Sequence, residues 1–155
     1  MSDVDTPAEP LSRLSAEALA LRHALGAAGK DHDARALATW ITDAQALARS
    51  ALDILLDLTL ARSHTTAEGL LFLDRLAQIA KAAQDAGAEL TAALARAVEN
   101  QRRCVAASSG RVVVIGPSPK QLIASAANLL GRIPALCHAI HRERLVPTHH
   151  ANRLS

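Results

Sequence analysis

The chain has 155 residues, half of them hydrophobic, yet Trp40 and Phe72 are its only aromatic residues and tyrosine is absent. Alanine and leucine fill more than a third of it; both are strong helix formers, and too few aromatic and β-branched residues remain to build a sheet, so the fold class expected is all-α. The formal charge of +2 hides an asymmetry: residues 1–100 hold 9 Lys/Arg against 14 Asp/Glu, whereas residues 101–155 hold 8 against one acid, Glu143.

Residues 1–9 are acidic and polar and end between Pro7 and Pro10, the composition of a disordered tail and the opposite of a signal peptide. A first helix is expected from about Leu11 to Gly26, with Leu11, Leu14, Ala18, Leu21 and Leu25 alternating spacings of three and four. After a turn through "AAGKDHD", Asp31 or Asp33 is an N-cap for a second helix over about 33–62, whose seam is Leu37, Trp40, Ala44, Leu47, Ala51, Ile54 and Leu58. In "ARSHTTAE", Thr65 and Glu68 stand at capping-box spacing. A third helix over about 66–107 carries Leu73, Leu76, Ala80, Ala83, Gly87, Leu90, Leu94 and Ala97.

Such seams face partner helices, and a third helix roughly 60 Å long exceeds what a compact bundle of this size needs. Self-association, as a dimer, is therefore expected through Leu73, Leu76, Ala80, Ala83, Leu90 and Leu94. The pattern then changes. Val112-Val113-Val114-Ile115 is a β-branched run closed by Gly116-Pro117-Ser118-Pro119, which predicts a short strand, a turn, and a helix capped by Ser118 with Pro119 in its first position. Gly131-Arg132-Ile133 and Pro134 predict a break, so that two shorter helices follow the strand. The whole is an antiparallel helical hairpin or bundle of three long helices followed by a short strand and two shorter helices. It divides into a tail (1–9), an acidic helical dimerisation region (10–108), a basic strand-helix-turn-helix segment (109–146) and a flexible tail (147–155).

The spacing of Ala127, Gly131, Cys137 and Ile140 resembles the small-turn-hydrophobic pattern of helix-turn-helix DNA-binding units. The order strand, helix, "LGR" turn, helix from Arg111 to Leu145 also looks like a ribbon-helix-helix domain. The second resemblance implies that two chains pair their single strands into a ribbon for the major groove. Each covers under a quarter of the chain. The four residues Val112 to Ile115 are all apolar, so only Arg111 would read bases from that strand, and Arg132 stands where a helix-turn-helix unit buries an apolar side chain. The basic third would contact DNA phosphates through Arg111, Lys120, Arg132, His138, Arg142 and Arg144. The rival expectation is a structural or adaptor bundle that binds another helical protein through an exposed apolar seam.

Catalytic motifs are lacking. "VVVIGPSPK" has one glycine where a phosphate-binding loop needs several. "RHALGAAG" around His23 is similar to the histidine phosphotransfer motif but has Gly26 where that motif has a lysine. Cys137, His138, His141, His149 and His150 match no metal-ligand spacing, and no cofactor or metal is expected. Cys104 and Cys137 form no disulfide pattern. The longest apolar stretch, Gln121 to Ile140, is interrupted by Arg132 and Pro134. A non-enzymatic, cytoplasmic protein that does not enter membranes is expected.

Overall fold

The computed structural model describes residues 8–27, 33–61, 65–107 and 116–154, with side-chain environments as far as Glu143. Four helices account for nearly all of it: α1 (Ala8–Ala27), α2 (Ala34–Leu60), α3 (Ala67–Ala106) and α4 (Pro119–Leu154). Among the described residues, α1 packs on α2 and α4, and α3 packs on α2 and α4, with no contact across either diagonal. Residues pair in opposite chain directions, Gly87 with Ala44 and Gly116 with Arg96, Arg75 with Glu143. The result is an antiparallel four-helix bundle in which consecutive helices are neighbours.

Helices α2, α3 and α4 each start where the local chemistry supplies an acceptor. The Asp33 carboxylate accepts the Ala36 N–H at 2.6 Å. Thr66, not Thr65, caps α3, its hydroxyl accepting the Gly69 N–H at 2.9 Å. Ser118 and Gln121 cap α4 reciprocally: Ser118 Oγ accepts the Gln121 N–H, and Gln121 Oε1 accepts the Ser118 N–H at 2.8 Å. Caps of this kind contribute about 1 kcal/mol each. Before the α4 cap, Gly116 turns the chain at φ 102°, with Arg96 directly over its α-carbon, where a side chain would clash.

The seams are consumed inside one chain. Leu14, Leu37, Leu76, Ile79, Leu90, Leu130, Ile133 and Ile140 are the largest fully buried side chains, and no polar or charged side chain is buried among the described residues. Burial of each large apolar group stabilises the fold by roughly 1.5–3 kcal/mol. Of the residues expected at a dimer interface, Leu76, Ala80, Ala83 and Leu90 lie in this core, and Leu73 and Leu94 are half-buried beside it. Alanines and Gly87 bring α2 and α3 close, so that a β-carbon on Gly87 would meet the Ala44 β-carbon at 3.7 Å. The last turns of α3 outrun the bundle: residues 101–106 are exposed, and Val105 is 80 % exposed.

The expectation of two short helices after residue 118 needs correction. The break at Gly131-Arg132-Ile133 is absent, and α4 runs continuously through Pro134. Proline removes one backbone donor and crowds the carbonyl four residues back, but its fixed φ is helical. A break there would turn Ile133, Cys137 and Ile140 away from the stripe begun by Ile123, Ala126 and Leu130, all of which pack the core. Burying that stripe outweighs one lost hydrogen bond. The bundle therefore has four long helices, not three followed by two short ones, and the turn needed for either DNA-binding resemblance is missing. The strand expected at Val112–Ile115 lies outside the described residues. Pro119–Glu143 is long and apolar enough to span a membrane by length and composition, yet its apolar residues fill the bundle core.

Gly87→Ala is expected to raise stability by about 1 kcal/mol, because alanine fits at ordinary contact distance and favours the helix. Gly87→Leu is expected to lower it by at least about 1–3 kcal/mol by forcing α2 and α3 apart. Urea unfolding of the three proteins checks both signs.

Candidate functional site

The fourth helix turns its apolar stripe inward, and the remaining turns carry Lys120, Arg132, His138 and Arg142 on exposed positions. Arg111 and the side chain of Arg144 lie outside the described residues. Lys120 to Arg142 spans about 33 Å of helix. Between them stand Gln121, Ala124, Asn128, Gly131 and Ala135, with no acid before Glu143. Glu143 itself turns aside to α3, where its Oε1 accepts from Arg75 Nη2 at 2.9 Å and Nε at 3.3 Å. That partly buried pair straps α3 to α4, and the hydrogen bond with the carboxylate, followed by its charge, raises the Arg75 pKa above its ordinary value.

The contrast with the other helices is electrostatic. Arg13, Arg49, Arg75, Lys81, Arg102 and Arg103 each hold a carboxylate within ion-pair distance. Lys120, Arg132 and Arg142 hold none among the described residues. Tertiary packing adds a fourth cation that composition assigns to the acidic half of the chain. Arg22 of α1 rests on α4 at Gly131, where a β-carbon would lie 3.2 Å from its Cζ. Glycine at 131 is what admits this close approach.

Beside this face, α3 and α4 leave an open groove of about 470 Å³ lined by Gln78, Lys81, Ala82, Asp85, Arg132, Ala135 and Leu136. Ala82, Ala135 and Leu136 make an apolar floor. Lys81 and Asp85 neutralise each other at 2.6 Å on one rim, and Arg132 stands on the other. Chemically this is a surface that accepts negative charge beside a shallow apolar trough.

No group of three or more His, Cys, Asp or Glu is placed to hold a metal among the described residues. Cys137 is buried whereas His138 and His141 are exposed, so "CHAIH" presents its side chains to different surroundings. His23 is exposed on α1. Burial pushes the Cys137 thiol from 9.0 up to about 11, while Cys104 is exposed on the projecting end of α3. The folded state thus keeps Cys137 protonated where the unfolded chain would release its proton. Its contribution is complete below pH 9 and is lost as the pH rises toward 11, with a slope of at most about 1.4 kcal/mol per pH unit. A thiol reagent at pH 8 should modify one cysteine of the native protein quickly and the second only on unfolding. Cys137→Ala should flatten the alkaline part of the stability profile.

No family model, no curated protein and no solved structure matches this chain.

Proposed function

We propose that this protein is a non-enzymatic binding module that engages an acidic partner through the outer face of α4. The observation that carries the proposal is the set of uncompensated cations: Lys120, Arg132 and Arg142, joined by Arg22, on a bundle whose other helices pair most of theirs. Unpaired exposed cations in a row favour a negatively charged partner and cost nothing to desolvate until one arrives.

DNA phosphates are one form such a partner takes. Three or four contacts would give a log–log salt slope of about −3 to −4 for a duplex, enough for association without base readout. Self-association joins the proposal through another surface than the heptad seam. Leu56, Leu60, Leu70 and Leu71, near the facing ends of α2 and α3 with Leu60 at 81 %, are exposed apolar side chains available to it.

The test uses two polyanions, poly-L-glutamate and a labelled duplex of arbitrary sequence, titrated with the full chain across a salt series. The triple variant Lys120→Glu/Arg132→Glu/Arg142→Glu serves as control once circular dichroism shows it helical. Wild-type binding that weakens with salt and disappears in the variant supports the proposal. Absence of binding at low salt, or equal binding by the variant, refutes it.

A further inference from the structure

The face of α4 and the α3–α4 groove lie side by side, and Arg132 belongs to both. An acidic partner attracted to the cations therefore meets an apolar trough at the same place. A nucleic acid backbone has no use for Ala82, Ala135 and Leu136, whereas an amphipathic helix has: it sets apolar side chains into a trough and keeps its charges at the rim. The trough exists because Ala82 and Ala135 are small where their neighbours Gln78, Lys81, Asp85 and Arg132 are long.

We propose that the α3–α4 groove docks an acidic amphipathic helix of a partner protein, with an apolar anchor over Ala82, Ala135 and Leu136 and carboxylates on Arg132 and Arg142. The inference rests on the acidic-partner reading above and specifies the partner's class and register. Charge complementarity decides the occupant. Of the charged groups that line the groove, Lys81 and Asp85 neutralise each other, so the charge left to satisfy there is the positive charge of Arg132, with Arg142 farther along α4.

Geometry then constrains the partner's sequence. Arg132 and Arg142 are ten residues apart on one helix, about 15 Å along its axis. A helix lying alongside reaches both with acids spaced roughly ten or eleven residues apart, and presents its anchors three and seven residues after the first acid. A basic or uniformly apolar helix lacks the first requirement. An acidic but wholly polar segment lacks the second.

A displayed library of helical peptides about 18 residues long, with randomised positions, would be selected against the full-length protein. Enriched sequences are expected to carry acids at that spacing around leucine, isoleucine or methionine. Two substitutions at exposed positions separate the contributions. Ala135→Trp fills the trough from an exposed position and leaves every charged residue in place, and should weaken enriched peptides about tenfold or more; Arg132→Glu should do the same by removing the rim charge. Enriched peptides without the acidic pattern overturn the inference. So does unchanged binding to Ala135→Trp; if Arg132→Glu still abolishes it, the acidic-partner reading survives without the groove. Duplex binding that Ala135→Trp leaves unaltered, with no peptide enriched, assigns the face to nucleic acid instead.

Discussion

A β-carbon added to Gly87 would sit in ordinary van der Waals contact with that of Ala44, and on the same two helices Ala48, Ala51, Ala80 and Ala83 are all buried in the core. This close approach of α2 and α3 sets the scale of the bundle. With α2 held on one side, α3 still packs against α4 on the other, with Ala82 beside Ala135 and Leu136. One long helix thus serves two neighbours. Leucine or valine in place of these small residues would widen the α2–α3 spacing and displace α4, and with α4 both its cationic face and the groove beside it.

Helix periodicity carries most of the architecture. The spacing of apolar residues marks α2 and α3 within two residues of their observed ends and α1 within three, and Asp33, Ser118 and Pro119 mark starts because capping chemistry is local. The reading failed where local chemistry and tertiary packing disagree. Gly131 and Pro134 are both signals for ending a helix, and in an isolated peptide they would. In the folded chain, Ile133, Cys137 and Ile140 continue the buried stripe of α4, and their joint burial exceeds the cost of one proline. The same blindness applies to the heptad seam: its spacing shows that a partner helix is needed, but not whether that partner comes from another chain or from residues fifty positions away.

The candidate face was legible in part. The surplus of positive charge after residue 100 points to Lys120, Arg132 and Arg142 without any structure, because Glu143 is the sole acid near them. Three features could not be read from the sequence. Arg22 reaches the face from α1, a region whose composition is otherwise balanced. Glu143 leaves it by pairing with Arg75, sixty-eight positions away in the chain. The trough depends on which alanines of α3 and α4 come level with each other. Each is a consequence of antiparallel register, which nothing local encodes.

The cationic face and the groove wall both depend on α4 being a single rigid helix from Pro119 to Glu143, since a break at Gly131 would divide them. Native-state amide hydrogen exchange tests this most directly. Protection should run without interruption from about Leu122 to Glu143, lapsing only at Pro134, which has no amide proton, and should fall away in α3 beyond Gln101. Fast exchange confined to Gly131, Arg132 and Ile133, with slow exchange on either side, would instead describe two helices joined by a turn and would contradict the account.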